Sequence, residues 1–403
     1  MRVAVYENLP PGGALRTSFE LGRKLLERGH SLDLYRLSTY AEKGPFDLAP
    51  LVGTVQVEQY RPAFGALDGR LRAGRLGPRS LTVFGALKRV HRRLAEAIRA
   101  GGYDAVLLHP DAMTQAPYVL RWLDGLRTVY YCQEPPRFAG ERAILERHRR
   151  RLAGSPFPVG LARLLEDGVV LPRLGREDRA SVAHATVIAV NSVYSRERAW
   201  AAYVREAVVC HLGVDAERFQ PPKRGQARSE VLSVGSPAEA KGHDLVIEAL
   251  ARLPGDSRPP LRVVLGRNER SDLDRLARQR GVELTIEAGL DEAGLASRYQ
   301  RALVTVCAAR LEPFGLTAIE SMACATPVVA IREAGYRDSV EDGVTGVLTD
   351  PEPAALAAAI GSLAADPALA RRLGKAGRED VVRRWTWDRS AARLEAILAG
   401  DGG

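Results

Sequence analysis

Two carboxylates, Glu312 and Glu320, stand eight residues apart within Leu311–Ala330, LEPFGLTAIESMACATPVVA. The turn Glu312-Pro313-Phe314-Gly315 leads into Leu316–Cys324, which reads as a short helix, and Pro327 opens an apolar, β-branched run that reads as a strand. Glu312 then lies just before the helix N-terminus, and Glu320 roughly one turn inside it. Unpaired backbone N–H groups and the positive end of the helix dipole face the same small space as both acids. A phosphate is stabilised at such an N-terminus, and a carboxylate one turn in accepts from sugar hydroxyls. That is the chemistry of a nucleotide-sugar site. Acids are also common as plain caps at helix starts, and Glu312 alone would read that way; the whole string favours the functional reading.

Alternating strands and helices position this string. Val231–Gly235 reads as a strand, followed by a turn through Lys241-Gly242 into a helix over Asp244–Leu253. Leu261–Leu265 is a strand ending at Gly266, Ser271–Arg280 a helix, and Glu283–Glu287 a strand ending near Gly289. A helix over Asp291–Arg301 and the strand Leu303–Cys307 then deliver the chain to Glu312. The tail, Pro367–Leu398, reads as helical, with Trp385 and Trp387 at a break.

The first half has the same grammar. Arg2–Tyr6 predicts a strand, Pro10–Gly13 a turn, Ala14–Arg28 a helix stopped by Gly29, and Ser31–Arg36 the next strand. Gly12 and Gly13 would let backbone approach a ligand closely. Gln56–Arg61, Tyr103–Leu108, Arg127–Tyr131, Thr186–Val190 and Ala207–His211 read as further strands, with helices over Leu81–Ala100 and Arg196–Tyr203, the second capped by Asn191-Ser192. Gln133 falls just past a strand end, where parallel sheets bind ligands. His109 occupies a similar place and reads more readily as a solvated loop residue. Residues 138–178 form an arginine-rich insertion that reads as helical. Pro221, Pro222, Lys223 and Gly225 mark a linker, giving domains over 1–220 and 221–384 and a terminal helix over 385–403. The expected fold class is α/β, two Rossmann-like domains in tandem facing across a cleft.

A chain of 403 residues is long enough for two cores. The four cysteines, Cys132, Cys210, Cys307 and Cys324, form no metal-like cluster and read as buried thiols, which suits a cytoplasmic protein. The N-terminus enters a strand pattern directly and does not resemble a signal peptide. No run approaches the ~18 apolar residues of a membrane span. Charge is uneven: residues 1–200 carry 31 Lys+Arg against 20 Asp+Glu, whereas the remainder carries 27 against 29. The excess concentrates between Gly69 and Arg99, where nine cations face only Glu96, with a second run at Arg147–Arg151. That segment reads as a solvated helix face or, equally, as a surface for anionic lipid headgroups or a lipid-linked phosphate. Nucleic acid ranks lowest, because aromatic residues do not interleave the charge.

The string Glu312–Val329 resembles the E-x(7)-E signature of family 4 of the retaining GT-B glycosyltransferases. Collinear matches support it: Gly12-Gly13, Asn191-Ser192, Gly213-Val214-Asp215 with Phe219 and Pro221, Val234-Gly235 with Lys241-Gly242, and the tail with Trp387. Tyr131–Arg137, YCQEPPR, is similar to the YCHxPPR string of some bacterial polysaccharide-type members. The resemblance implies a GT-B fold with the C-terminal helix crossing back to the first domain. It implies a nucleoside-diphosphate sugar as donor substrate, a retained anomeric linkage, and neither metal nor cofactor. Glu320 would bond the ribose, and Glu312 the donor sugar's hydroxyls. The backbone of Phe314, Gly315, Leu316 and Thr317 would cap the phosphates, and Lys241 would neutralise the departing diphosphate. Gly266 and Gly289 would lie in base-binding loops. The only DxD string, Asp272-Leu-Asp274, falls in a predicted helix and reads as a solvated face.

Two positions depart from the family. Ser236 stands where the family has an arginine, for which Arg267 or Arg310 could substitute. Gln133 stands where it has an active-site histidine; glutamine hydrogen-bonds a hydroxyl but carries neither proton nor charge. The expected function is transfer of a hexose to a lipid-linked or growing glycan acceptor, in cell-surface polysaccharide or glycolipid synthesis, with possible peripheral membrane attachment through residues 70–99. The rivals are a non-catalytic GT-B protein that binds a nucleotide sugar or glycan, and a GT-B sugar-nucleotide epimerase. Intact Glu312, Lys241 and Glu320 argue against the first.

Overall fold

Among the described residues of the computed structural model, every pairing between strands is parallel, as expected when strands are joined by helical crossovers. The structure describes residues 1–39, 44–60, 79–135, 171–223, 228–266 and 272–401. They divide into two compact units.

The first unit comprises residues 1–191, 195–210 and 391–403. Its elements are β1 (Arg2–Asn8), α1 (Gly13–Glu27), β2 (Ser31–Leu37), β3 (Thr54–Glu58), α2 (Arg79–Ala100), β4 (Ala105–Asp111), β5 (Thr128–Cys132), α3 (Leu171–Val182), β6 (Val187–Val190), most of α4 (Val193–Tyr203) and β7 (Ala207–Val209). The sheet order is β3-β2-β1-β4-β5-β6-β7. The central strands are buried on both faces, which explains the apolar runs Val3–Tyr6, Ala105–Leu108 and Val129–Cys132.

The second unit comprises residues 192–194 and 211–390. It runs β8 (Glu230–Gly235), α5 (His243–Leu250), β9 (Leu261–Leu265), α6 (Leu273–Arg280), β10 (Leu284–Ala288), α7 (Glu292–Arg301), β11 (Ala302–Cys307), α8 (Leu316–Ala323), β12 (Val328–Ile331), α9 (Tyr336–Ser339), β13 (Val347–Thr349), α10 (Pro353–Ala365) and α11 (Pro367–Arg384). The order is β10-β9-β8-β11-β12-β13. The chain enters this unit between Cys210 and His211, so the proline-rich turn at Pro221-Pro222 already lies inside it. Residues 211–220 are held there by a bridge from Val214 to Thr386 and by Arg378, which donates to the carbonyls of Ala216 and Phe219. The last helix, α12 (Trp387–Ala399), belongs to the first unit from Ala391 onward. There Glu395 pairs with Arg28 and His30, and Arg127 donates to the Ile397 carbonyl at 2.7 Å.

Strand order reverses between β1 and β4 in one sheet and between β8 and β11 in the other. Chain leaving these neighbouring strands diverges and opens a crevice at their carboxyl ends. Gly12, Gly13 and His109 lie at the first switch point, and Lys241 and Glu312 at the second.

Two expectations change. His109 is not a solvated loop residue: β4 continues through it to Asp111, and it is fully buried. Beyond Leu108 the strand loses its β5 partner and continues beside β1 with a register shift, so Pro110 can sit there without a ladder N–H. The basic helix also meets more acid than local counting suggests. Arg93 pairs with Glu58 on β3 and Lys88 with Glu177 on α3, besides Arg92 with Glu96. Residues 70–78, 138–170 (which include the Arg147–Arg151 run), Gly225 and Arg267 lie outside the described residues. All four cysteines are free and buried. Among the described residues no single helix is long and apolar enough to cross a membrane; the bent pair α10 and α11 passes that test only when joined.

Candidate active site

In the second unit, β8 ends at Gly235, and a short 3-10 turn over Glu239–Lys241 follows. Lys241's stem packs over Gly235, where an added Cβ would lie 3.2 Å from its Cγ. Gly242 adopts φ 70° with its α-carbon against the Ala308 carbonyl; an added Cβ would sit 2.3 Å from that oxygen, so only glycine fits. Arg310 N–H donates to the Ala240 carbonyl at 2.8 Å, tying the β8 turn to the segment after β11. Lys241 and Glu312, 71 residues apart in sequence, meet through this double contact: Lys241 Nζ donates to Glu312 Oε2 at 2.6 Å.

Behind Glu312 the backbone is fixed. Its carbonyl accepts from Gly335 N–H at 2.9 Å, and Phe314 is buried with its ring 5.6 Å from that of Trp385. Gly315, at φ 92°, begins α8, and no side chain caps that helix. An added Cβ there would stand 2.5 Å from the Tyr336 ring. The first turn of α8, Leu316 and Thr317 included, thus presents amide N–H groups beside the Lys241–Glu312 pair without a side-chain acceptor of its own.

Glu320 follows on α8 and is buried. Its Oε2 accepts from the Tyr299 hydroxyl at 2.8 Å, and burial followed by the adjacent carboxylate pushes that phenol well above its ordinary pKa. Tyr299, on α7, was not singled out from the sequence, where nothing separates it from an ordinary core aromatic. His243 was also missed. Its Nδ1 accepts from Ser233 Oγ at 2.8 Å and its Nε2 donates to the Ser236 carbonyl at 3.1 Å, which anchors the position where the family carries arginine. Burial lowers its pKa to about 4, so it performs this role neutral. Arg310 is engaged by Glu333 at 2.8 Å. Gly266 and Gly289 end β9 and β10, joined by Gly289 N–H to the Leu265 carbonyl at 3.1 Å; an added Cβ at either would meet nothing within 4 Å. Asp272 is highly exposed and pairs with Arg275 at 3.4 Å.

The first unit assembles a second group. Gln133 is buried, and its amide donates both to the Ala14 carbonyl at 3.2 Å and to His109 Nδ1 at 3.0 Å. The carbonyl can only accept, which fixes which end of the amide is nitrogen. His109 Nδ1 must then be unprotonated, and burial keeps the ring neutral by lowering its pKa to about 3. Both amide protons are committed to protein acceptors, so Gln133 has only its oxygen to offer a ligand. Ala14 follows Gly12 and Gly13, where an added Cβ at Gly12 would meet nothing within 4 Å. The backbone carbonyl of Gln133 accepts from Asn191 Nδ2 at 2.7 Å, and Asn191 Oδ1 accepts from Ser195 Oγ at 2.7 Å.

The family model for glycosyl transferases group 1 matches residues 214–380, which contain Lys241, Glu312 and Glu320. A GDP-mannose-dependent alpha-(1-6)-phosphatidylinositol monomannoside mannosyltransferase of Mycolicibacterium smegmatis is 30% identical over 290 residues, 66% of this chain and 72% of that protein. A D-inositol 3-phosphate glycosyltransferase of Nocardiopsis dassonvillei is 30% identical over 406 residues, 93% of this chain and 86% of its own length. Among solved structures, sucrose-phosphate synthase from Thermosynechococcus elongatus superposes with a TM-score of 0.72 at 22% identity, over 99% of this chain and 98% of that one. The fold is therefore GT-B, and the chain belongs to the group 1 glycosyltransferases.

Proposed function

We propose that the chain is a retaining hexosyltransferase that moves a sugar from a nucleoside-diphosphate donor to a lipid-linked or growing glycan acceptor. The observation that carries this reading is the Lys241–Glu312 pair beside the uncapped start of the helix that holds Glu320. As the bond from the anomeric carbon to the diphosphate breaks, charge develops on the leaving phosphate and on an oxocarbenium-like sugar. A positive side chain and helix N–H groups fixed beforehand stabilise that charge without reorganising. In this reading Lys241 exchanges Glu312 for the diphosphate, and Glu312 turns to the sugar's hydroxyls. Phe314, Gly315, Leu316 and Thr317 contribute backbone to the phosphates, while Glu320, oriented by Tyr299, accepts from the ribose. Ser236 lies along the same loop, Gly266 and Gly289 leave room for the base, and Gly12 and Gly13 for the donor sugar.

Gln133 accepts from a sugar hydroxyl through its oxygen. The attacking hydroxyl of the acceptor gives its proton to the departing phosphate oxygen as the new glycosidic bond forms on the same face. That route needs neither a dedicated base nor a metal. One relative's name carries D-inositol 3-phosphate, and the other's carries phosphatidylinositol monomannoside and GDP-mannose. A phosphate-bearing polyol or its lipid is accordingly the acceptor class we favour, reached at a cytoplasmic membrane surface through the basic segment at residues 70–99.

A panel of UDP-, GDP- and ADP-sugars, scored for thermal stabilisation and for release of the nucleoside diphosphate, tests the proposal. One donor should both stabilise the protein and be hydrolysed. Stabilisation without turnover, with phosphorylated inositol supplied, would favour a binding protein instead.

A further inference from the structure

A charged network crosses the second unit's sheet away from the Lys241–Glu312 pair. Glu230 on β8, Arg262 on β9 and Glu287 on β10 form a diagonal on one face. Arg262 stands level with Leu232 and Thr285, and side chains two residues apart on a strand share a face, so both glutamates flank it. Beside this diagonal is a cavity of ≈ 540 Å³, walled by Glu230 and Arg262 from the strands and by Ser297, Arg298, Gln300 and Arg301 from α7. Glu230 begins β8, whereas Lys241 follows that strand's far end, so cavity and ion pair lie toward opposite ends of the sheet.

Partly buried charges on the face of a parallel sheet are costly to desolvate, and here they are tightly ordered. Arg262 Nε donates to both oxygens of Glu230, at 2.9 and 2.8 Å, and its Nη1 to Glu287 Oε1 at 2.8 Å. Arg298 Nε donates to Glu287 Oε2 at 2.7 Å. All four carboxylate oxygens are thus engaged, and what is left over is donors. Among the described residues, Arg262 Nη2, both terminal nitrogens of Arg298, the whole Arg301 guanidinium and the Ser297 hydroxyl have no partner. Three cations face two carboxylates, and Arg301 is the cation without an ion pair among the described residues. Gln300 Nε2 donates to the Gln220 carbonyl at 2.9 Å, which leaves its oxygen to accept. Arginines in the last turn of α7 also suit the helix dipole, but Arg262, on a strand, gains nothing from it.

We propose that this cavity binds the phosphate monoester of a sugar or polyol. A phosphate dianion only accepts, and planar guanidinium forks match its oxygens in pairs. The free edges of Arg298 and Arg301 take the phosphate, and Ser297 adds a hydroxyl donor. Gln300 accepts from a hydroxyl of the ester's body, and Arg262 Nη2 donates to another. The volume exceeds that of one phosphate and falls within the usual range for small-molecule sites, so a body of sugar size fits with it. The inference rests on this cavity and not on the reaction proposed above.

The full chain is titrated calorimetrically, without any sugar donor, with glucose 6-phosphate, glycerol 3-phosphate, inorganic phosphate and glucose. The parent, S297A/R301Q and a charge-matched control, R371Q on α11, are compared. Ser297 and Arg301 hold no partner among the described residues, so the fold should persist, checked by circular dichroism. At least one ester should bind more tightly than inorganic phosphate, and glucose should bind far more weakly. S297A/R301Q should weaken that ester about tenfold, with R371Q like the parent. If S297A/R301Q binds the ester as the parent does, or if the parent binds neither ester, the proposal is overturned. Inorganic phosphate binding as tightly as both esters would overturn it too, because the body would then make no contact.

Discussion

Lys241 Nζ and Glu312 Oε2 stand 2.6 Å apart, an ion pair formed between the ends of two adjacent parallel strands at the point where strand order reverses. Under the proposed function each is the partner that a donor must displace: an acid for the sugar hydroxyls and a cation for the diphosphate are stored against each other, so neither charge is left unpaired before the donor arrives. Lys241→Ala should therefore lower kcat about a hundredfold or more, as removal of preorganised charge at a leaving group does, with a smaller effect on donor affinity. Steady-state kinetics with a donor that supports turnover provide the check. A change in affinity with kcat unchanged would show that Lys241 binds the ground state only.

Glu320 and Tyr299 make a second relationship, which under the proposed function bears on donor binding. Removing the phenol oxygen takes away one donor, at 2.8 Å from Glu320 Oε2, a charge-assisted bond worth about 1.5–3 kcal/mol. Tyr299→Phe should raise the donor KM roughly tenfold or more, and Glu320→Ala further still. Equal KM values for parent and both variants would remove Glu320 from the ribose site.

Under the proposed function His109 positions Gln133. His109→Leu removes the acceptor at Nδ1 and lets the amide rotate, so kcat should fall about tenfold while donor KM changes little. His109→Asn can restore an acceptor near the same point and should recover most of the loss. If Asn and Leu are equally impaired, His109 merely fills the core.

The buried histidines give a pH signature. His91 and His243 have pKa values lowered to about 4 and His109 to about 3, all chiefly by burial. None should titrate between pH 8 and pH 5 in the imidazole carbon-bound proton spectrum of the folded protein. In the unfolded chain histidine titrates near 6.5. Between that value and about 4 the unfolded state binds more protons, so these groups withdraw stability as pH falls, by up to about 1.4 kcal/mol per histidine per pH unit. Their contribution is level above pH 7. A midpoint near 6.5 for any of the three in the folded state would contradict its burial.

Gly315 tests the frame of the site. It combines φ 92° with a Tyr336 ring that would stand 2.5 Å from a Cβ. Gly315→Ala should cost about 1–3 kcal/mol of stability from backbone conformation, with ring displacement adding to it. Denaturant unfolding of the two proteins measures it, and equal midpoints would mean that the turn relaxes freely.

Local pattern made much of this legible. The helix at Leu316–Ala323 and the strand at Val328–Ile331 follow from the residues that open the chain's strongest motif, and the alternation of strands and helices announces two parallel sheets. What stayed hidden depends on residues far apart in sequence. Nothing in the neighbourhood of Lys241 indicates that Glu312 is its partner, and nothing around Glu320 points to Tyr299. His109 misled because the His-Pro-Asp sequence looks like a loop, whereas β4 carries it deep into the sheet after losing its outer neighbour. Counting charge along α2 found only Glu96, because Glu58 and Glu177 arrive from other elements.

The most direct test of the account is early-time proton NMR of the sugar released when the protein turns over its donor in the absence of acceptor. The account predicts one nucleoside diphosphate released per sugar, and a first-formed sugar with the donor's own anomeric configuration. An inverted anomer would contradict retention, and no release from any UDP-, GDP- or ADP-sugar, with or without phosphorylated inositol, would contradict the assignment of Lys241, Glu312 and Glu320 to a donor site.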